Sequence, residues 1–235
     1  MSARAPAESI LIVDPDAGLG TTVVAQLQAD GYRTELAHTA GHARALAGMR
    51  APELVILGDL DASSGELELL REIRAPAGER TPWRPDLPIL VLGSSGCEPD
   101  LLRAFEAGAD DVLAHPVRYL ELRARVRALL RRAPGQRTAQ VLRVGALEVD
   151  TSAHAASVDG HQVELRRLEY ELLVALASEP RRVFDKWELL HMVWGYRAPG
   201  STRTVDTHAS RVRRKLEAHG GRWVVNVWGV GYSLK

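Results

Sequence analysis

The sequence predicts two domains: a doubly wound α/β domain with a five-stranded parallel sheet in residues 1–132, and a smaller α+β domain in residues 141–235. Three observations support this division. The chain has 235 residues, enough for two domains that each bury a core. Apolar runs alternate with amphipathic stretches in the first half, whereas strands, helices and a hairpin follow in blocks in the second. Residues 133–140 include Pro134 and Gly135 and are predicted to be a linker.

The first domain is predicted to contain five repeats of a strand followed by a helix. The strands are expected at 10–13, 34–37, 54–57, 89–92 and 111–113, and the helices at 18–30, 40–50, 65–74, 100–107 and 119–132. In such a sheet, functional groups are expected at the carboxyl ends of the strands. The connection over 75–88 holds four prolines and Trp83, and is either a contact loop or a tolerated insertion.

The second domain is predicted to open with four short strands, at 141–144, 147–149, 155–158 and 162–165. Asp159 and Gly160 form a strong hairpin signal between the last two. Helical patterns follow at 167–178, 185–194 and 202–218, and the chain closes with a hairpin over 224–234. This order is that of a winged helix-turn-helix.

The composition excludes several classes of protein. With 46% apolar and 26% charged residues, the chain is neither disordered nor collagen-like. No apolar run approaches the roughly 20 residues that a membrane helix needs. Cys97 is the single cysteine, and Met1 to Ser9 lack a charged and then apolar leader, so we expect a cytoplasmic location.

The net charge of zero conceals an asymmetry between the two halves. Residues 1–132 carry 15 basic and 19 acidic residues, whereas residues 133–235 carry 15 and 11. The segment 197–222 contains seven basic residues but only Asp206 and Glu217 as acids. Such a segment is either a solvated helix face or a binding surface for a polyanion.

The helix at 202–218 offers a geometric test of these alternatives. At about 100° per residue, Val205, Ala209, Val212 and Leu216 fall on one buried stripe. The opposite face carries cationic and hydroxyl groups, with further arginines on its flanks: Arg203, Thr207, Ser210 and Arg214, flanked by Arg211 and Arg213. The major groove of DNA admits one such helix, so DNA binding is the favoured interpretation.

Four segments of the second domain resemble the winged-helix signatures of bacterial response regulators of the OmpR/PhoB class. They are FDKWELL at 184–190, VWGY at 193–196, TRTVDTH at 202–208 and GVGY at 229–232. The resemblance implies a homodimer on tandem DNA half-sites, with Arg203, His208, Arg211 and Arg213 contacting DNA. It also implies a minor-groove contact by the terminal hairpin, where Trp228 replaces the usual arginine and is either a core residue or a sugar-stacking residue. The loop from Gly195 through Tyr196 and Arg197 to Ser201 is expected to contact RNA polymerase.

The first domain is similar to the receiver domains of the same class. The similarity lies in ILIVD at 10–14, PELVIL at 52–57, GADD at 108–111 and ELRARVR at 121–127. Receivers transfer a phosphoryl group to an aspartate, which requires paired acids for Mg²⁺, a hydroxyl and a lysine. Asp14 matches the first acid, but the other places hold Pro15, Gly58, Gly93 and His115. Val112 occupies the place of the aromatic switch residue.

We therefore expect a transcription regulator that is not an enzyme, needs no cofactor and acts without phosphorylation. Two alternatives remain open: phosphorylation on Asp59 or Asp61 with Ser94 nearby, and sensing of a small metabolite at the same sheet edge. Residues that the family uses for dimerisation are present, namely Asp110, Asp111, Glu121, Arg125 and Arg132. Cross-subunit ion pairs are each worth only about 0–1 kcal/mol, so apolar contacts must supply most of the dimer affinity.

Overall fold

The computed structural model describes residues 8–58, 65–75, 81–84, 86–93, 98–130, 140–196 and 202–235. The chain divides into two compact units between Leu130 and Arg131. Of the expected linker over 133–140, only Gln140 falls among the described residues.

The first unit is built on a parallel sheet in the order β2-β1-β3-β4-β5. Its strands are β1 (Ser9–Val13), β2 (Arg33–Ala37), β3 (Leu54–Leu57), β4 (Ile89–Gly93) and β5 (Asp111–Ala114). The strand order reverses at β1, which makes the sheet doubly wound, as the sequence predicts. Because Val13 pairs with Leu57, the chain leaves β1 and β3 side by side, and Asp14 and Gly58 become neighbours.

Five helices cover this sheet: α1 (Ala17–Ala29), α2 (Ala40–Arg50), α3 (Glu66–Arg74), α4 (Glu98–Ala107) and α5 (Tyr119–Leu130). Their starts follow from local chemistry, since the carboxylate of Asp16 accepts from the backbone N–H of Gly18 and caps α1. The hydroxyl of Thr39 caps α2 in the same way. All five predicted helices are present, and residues 131 and 132 of the last one lie outside the described residues.

Part of the proline-containing connection over 75–88 packs into the core of this unit. Trp83 is only 5% exposed, and its indole N–H donates to Oε1 of Glu72 at 3.1 Å. Glu72 also accepts a bidentate pair of bonds from Arg44, from Nε to Oε1 and from Nη2 to Oε2. Trp83 thus fixes the connection against α2 and α3, which favours the insertion over the contact loop.

The second unit begins with an antiparallel sheet of β6 (Val141–Val144), β7 (Leu147–Asp150), β8 (Ala155–Val158) and β9 (His161–Gln162). Asp159 and Gly160 both have positive φ, at 49° and 78°, as a two-residue type I′ hairpin requires. The fourth strand is shorter than the predicted 162–165.

Three helices and a second sheet complete the winged-helix unit. The helices are α6 (Arg167–Ser178), α7 (Lys186–Trp194) and α8 (Arg203–Glu217). The strands are β10 (Phe184–Asp185), β11 (Val224–Val227) and β12 (Gly231–Leu234), and they form a sheet in the order β10-β12-β11. The sequence does not predict β10. A Cβ at Gly231 would lie 1.9 Å from the carbonyl oxygen of Phe184, so only glycine permits this strand pairing.

Candidate nucleic-acid interface and receiver pocket

The two faces of α8 separate as the sequence predicts. Val205, Ala209, Val212 and Leu216 are each 0% exposed and form the buried stripe. On the opposite side, Ser210 and Arg214 are exposed, and Arg203 and Thr207 are partly exposed. The accessible side of α8 therefore presents two arginines and two hydroxyl groups.

His208 corrects one expectation about DNA contacts. Its side chain is 1% exposed, and Nδ1 lies 2.8 Å from the carbonyl oxygen of Thr204. The ring packs edge-on against Trp194, with 5.1 Å between the ring centroids. His208 is a packing residue between α7 and α8 in this structure, because position 208 lies next to the apolar stripe of α8 rather than opposite it.

Arg211 and Arg213, which flank the exposed polar side of α8, are not themselves fully exposed. Arg211 is only 9% exposed, so its side chain must move to reach a base edge. Arg213 is partly exposed, and its Nε donates to the carbonyl oxygen of Val224 at 2.8 Å. Arg213 thus ties α8 to β11 in addition to presenting charge.

Two ion-pair clusters that sequence reasoning missed hold α8 in place. At its first turn, Oδ1 of Asp206 accepts from the hydroxyl of Tyr232 and pairs with Lys186, both at 2.7 Å. Burial, together with the bond to Asp206, raises the pKa of the Tyr232 hydroxyl above its usual range. The motif residues Lys186 and Tyr232 therefore position the helix.

Near the other end of α8, Lys215 pairs with the buried Glu169 of α6 at 2.7 Å. Burial acts to raise the pKa of the Glu169 carboxyl, but the charge and hydrogen bond of Lys215 and the backbone N–H of Arg166 lower it overall. Glu169 is therefore ionised at neutral pH and binds the two helices together.

The terminal hairpin settles one alternative left open for Trp228. The indole is 94% exposed, so Trp228 is not a core residue.

In the expected polymerase-contact loop, Gly195 ends α7 with a positive φ of 71°, and the carbonyl oxygen of Tyr196 lies 2.9 Å from Nδ1 of His191. Arg197 and Ser201 of the same loop lie outside the described residues.

The receiver pocket lies at the carboxyl edge of the parallel sheet. Asp14 is 1% exposed, and its Oδ1 accepts from the backbone N–H of Asp16 at 2.8 Å. Pro15 is exposed, and Asp16 caps α1. Pro15 thus supplies no second acid for a metal pair. The next acid, Asp16, accepts a hydrogen bond from the backbone N–H of Gly18.

Gly58 has no room for a side chain. A Cβ at this position would lie 2.7 Å from Cγ of Asp14 and 3.0 Å from each carboxylate oxygen. The carboxylate of Asp14 therefore occupies the space into which an acceptor side chain at 58 would extend. Among the residues that the structure describes, no group of three or more His, Cys, Asp or Glu side chains could hold a metal ion.

The remaining expected pocket positions are occupied by Gly93, His115 and Val112. Gly93 ends β4, and its carbonyl oxygen accepts from the backbone N–H of His115 at 3.0 Å. His115 is partly exposed, and Val112 is 8% exposed. Asp59, Asp61 and Ser94, the alternative phosphorylation residues, lie outside the described residues.

Several residues expected at a dimer interface form ion pairs within the chain. Arg74 reaches Asp110 at 2.6 Å, and Arg125 contacts Asp111 at 2.7 Å and Glu121, one helical turn away, at 2.5 Å. Asp110, Asp111 and Arg125 are buried, so these charges already have partners in a single subunit. Arg132 lies outside the described residues.

Comparisons with known proteins identify the two units. The family described as "Response regulator receiver domain" matches residues 10–127, and "Transcriptional regulatory protein, C terminal" matches residues 160–234. The DNA-binding response regulator MtrA of Mycolicibacterium smegmatis is 36% identical over 228 residues, covering 96% of each chain. The chain is an OmpR/PhoB-type response regulator. It binds DNA and regulates transcription, as this class does, and it is not an enzyme.

Further relatives agree over nearly the whole chain. The transcriptional regulatory protein ResD of Bacillus subtilis is 34% identical over 236 residues, covering 96% of this chain and 95% of the relative. Among solved structures, the OmpR/PhoB homologue DrrB of Thermotoga maritima matches with a TM-score of 0.50 and 26% identity, covering 98% and 100% of the two chains. A RitR mutant matches in fold with a TM-score of 0.66 at 23% identity, covering 97% and 99%. In this response regulator, no helix among the described residues is long and apolar enough to cross a membrane.

Proposed function

We propose that this response regulator acts without phosphorylation, as a cytoplasmic homodimer that binds tandem DNA half-sites and contacts RNA polymerase. The observation that carries the first part is the position of the Asp14 carboxylate over Gly58, 2.7 Å from where a Cβ would lie. Phosphoryl transfer needs an acceptor carboxylate and a bound Mg²⁺, which keeps near-octahedral geometry with one or two carboxylates. Gly58 supplies no carboxylate, and Pro15 supplies no second metal ligand.

A direct test is intact-mass spectrometry after incubation with acetyl phosphate and Mg²⁺. We expect no mass gain of one phosphate in the wild-type chain. A stable gain would contradict the proposal and support a non-standard acceptor. In that case, the variants Asp59→Asn and Asp61→Asn identify the acceptor by which of them abolishes the gain.

The dimer is proposed to form on the face of α4, β5 and α5, now through apolar contacts. Leu102 on α4 is 38% exposed and Leu120 on α5 is 71% exposed, whereas the charges nearby are paired within the chain. Exposed leucines on these two helices favour association by burial of apolar surface.

Light scattering at micromolar concentration, without any phosphodonor, tests the dimer. We expect a dimer for the wild type and a monomer for Leu120→Asp. Met49→Asp is the matched control, because Met49 is 75% exposed but lies on α2. A wild-type monomer that dimerises only with beryllofluoride would show that the receiver still responds to phosphate chemistry.

The contact with DNA is proposed to use the exposed side of α8 in the major groove, with Arg203, Thr207, Ser210 and Arg214 nearest to the DNA. Arg211 and Arg213 flank them. The loop at 195–201 is proposed to contact RNA polymerase. Transcription in vitro tests that contact, since Arg197→Ala is expected to keep DNA affinity while changing the transcript level from the bound promoter. An unchanged transcript level would contradict the proposed role of the loop.

A further inference from the structure

Two histidines from different elements of the second unit lie side by side on its surface. His161 begins β9, and His219 follows α8, which ends at Glu217. Their ring centroids are 6.3 Å apart, and the ring planes are inclined by 22°. Both residues are exposed, so the pair contributes little to the packing of the fold. Imidazole groups from two separate segments are thus accessible to solvent at one place.

The backbone on both sides of the pair is held in position. His161 belongs to a strand that pairs with β8, and the backbone N–H of His219 donates to the carbonyl oxygen of Leu216 at 3.0 Å. Lys215, one turn before His219, donates to the carbonyl oxygen of Glu164 at 2.8 Å. This bond joins the last turn of α8 to the chain just after β9. The fold therefore sets the spacing of the two imidazole rings.

The distance between the rings suits a shared metal ion. A metal–nitrogen bond is about 2.0–2.1 Å long, and a ring nitrogen lies about 1.2 Å from its ring centroid. Two imidazoles on one ion therefore have centroids about 5.3 Å apart at a tetrahedral angle and about 6.6 Å apart at a linear one. The observed 6.3 Å lies in this range. Exposed rings reach the shorter distance by small rotations of their side-chain torsions.

The type of ligand and the local charge indicate which ion would bind. Neutral imidazole is a ligand for Zn²⁺, Cu²⁺ and Ni²⁺, whereas Mg²⁺ and Ca²⁺ prefer oxygen ligands. The carbonyl groups at the end of a helix carry a partial negative charge, which favours a cation beside α8. Within three residues of either histidine, the chain carries three exposed acids and one exposed base: Asp159, Glu164 and Glu217, and Arg222.

We propose that His161 and His219 together bind one transition-metal ion of the Zn²⁺, Cu²⁺ or Ni²⁺ class, between β9 and the end of α8. Two protein ligands leave the other coordination positions to water, so the ion exchanges with solvent and is not a closed structural centre. The two histidines are 58 positions apart in the sequence and meet only in the folded chain. Binding therefore stabilises the folded second unit.

Calorimetric titration of the full chain tests the site, using protein without a polyhistidine tag and freed of metal by a chelator. We expect one Zn²⁺ per chain, and we expect His161→Gln and His219→Gln each to weaken binding at least about tenfold. The matched control is His42→Gln, because His42 is an exposed histidine on α2 of the first unit. The control should bind Zn²⁺ as the wild type does.

Electron paramagnetic resonance with one equivalent of Cu²⁺ counts the imidazole ligands. The spectrum of the wild type should show coupling to two imidazole nitrogens, and the spectra of His161→Gln and His219→Gln should each show coupling to one. A spectrum of the wild type with a single coupled nitrogen would contradict a shared ion.

Thermal unfolding measures the link between the two segments. With free Zn²⁺ at about ten times its Kd, the melting temperature of the wild type should rise by about 5 °C, and that of the double variant His161→Gln/His219→Gln should not rise. Without metal, the variants should melt as the wild type does, because both histidines are exposed. A loss of metal binding would then not reflect misfolding.

Three results would overturn the inference: no saturable Zn²⁺ binding by the wild type, binding that persists in the double variant, or an unchanged melting temperature with the ion bound. Binding that persists would assign the ion to others of the eight histidines in the chain. None of these measurements involves DNA, a phosphodonor or RNA polymerase, so the failure of this inference and the failure of the proposed function are distinguishable.

Discussion

The carboxyl edge of the parallel sheet and the exposed side of α8 are the two surfaces at which the sequence predicts a phosphoryl-transfer site and a DNA contact. In this chain they differ sharply. At the sheet edge, Asp14 is alone among the expected pocket residues in keeping an acid, and its carboxylate covers Gly58. On α8, the polar row opposite the buried stripe is intact. The difference teaches that the carboxylate of Asp14 takes the space beside Gly58 at the sheet edge, whereas the side of α8 that we propose to bind DNA keeps its polar side chains.

The largest expected effect tests whether the sheet edge is repacked around Asp14. Gly58→Asp forces a new side chain into the Asp14 carboxylate and adds a second buried acid, so we expect a loss of about 2–4 kcal/mol in the free energy of unfolding at pH 7. The repulsion favours protonation of the added carboxyl, which raises its pKa above the unfolded value. The loss should therefore shrink as pH falls through that raised pKa.

Thermal unfolding between pH 4 and 8 checks this prediction, with Gly93→Ala as the control. A Cβ at Gly93 would meet Val112 at an ordinary 3.8 Å, so the control should unfold near the wild-type temperature. Gly58→Asp should also remain unphosphorylated, since Pro15 and His115 are unchanged. Efficient phosphorylation accompanied by tighter DNA binding would show that the two surfaces are still coupled.

The next effect concerns two arginines of α8 with different expected roles, Arg203 of the exposed polar row and the largely buried Arg211 on its flank. Arg211→Ala is expected to cost about 1–3 kcal/mol at the cognate site and to relax discrimination there, whereas Arg203→Ala should weaken all sequences alike and lower the salt slope by about one. Titrations on cognate and random duplexes measure both quantities. Arg143→Ala is the control, because Arg143 is an exposed arginine on β6 rather than on α8. Equal losses on both duplexes for Arg203→Ala and Arg211→Ala would reject the division.

A smaller effect tests the ion pair between Glu169 of α6 and Lys215 of α8. The lowered pKa of Glu169 means that its pair with Lys215 stabilises the fold above the unfolded pKa of a glutamate, and that this stability is lost as pH falls through the lower folded pKa. Lys215→Met is expected to cost about 1–2 kcal/mol at pH 7, less than a fully buried pair because Lys215 is partly exposed. Denaturant unfolding at pH 7 and at pH 3 should show the deficit at pH 7 and a smaller one at pH 3. An equal deficit at both values would show that Lys215 acts by packing alone.

The smallest effect concerns Trp83, which the structure places in the receiver core. Trp83→Phe keeps most of the apolar volume and removes the bond to Glu72, so a loss of about 1 kcal/mol is expected. Denaturant unfolding of the variant measures it, and DNA affinity should not change. Weaker DNA binding or dimerisation at unchanged stability would restore the contact-loop interpretation of residues 75–88.

Much of the candidate DNA surface could be predicted, because a helix has a fixed angle per residue. The stripe of Val205 and Leu216 and the opposite row with Ser210 and Arg214 follow from that angle alone. His208 and Arg211 lie between these extremes. Their burial depends on Trp194 and other residues of elements that pack against α8, and the periodicity of α8 contains no information about those neighbours.

For the receiver pocket, too, the sequence predicts residue types but not the contacts between distant residues. The sequence reveals that Gly58 and Pro15 lack the groups for phosphate chemistry, since residue type alone decides which ligands are available. It does not reveal that the carboxylate of Asp14 lies against Gly58, because that contact joins the ends of two strands more than forty positions apart.

By itself, the sequence determined the class of fold, the order of the strands and helices other than β10, and the residue types at the expected pocket positions, since these follow from the periodicity of apolar residues and from residue type. The tertiary structure alone decided the pairing of β10 with β12, the inward position of His208, the burial of Trp83, the exposure of Trp228 and the partners of Asp110, Asp111 and Arg125. The physical reason is that the direction of a side chain and the partner of a charge depend on which distant segments pack beside it. Arg125, one of the residues expected at a dimer interface, contacts Asp111 within the chain, and Arg74 contacts Asp110, because both arginines lie within hydrogen-bond distance of the aspartates at β5 once α3 and α5 pack on the sheet.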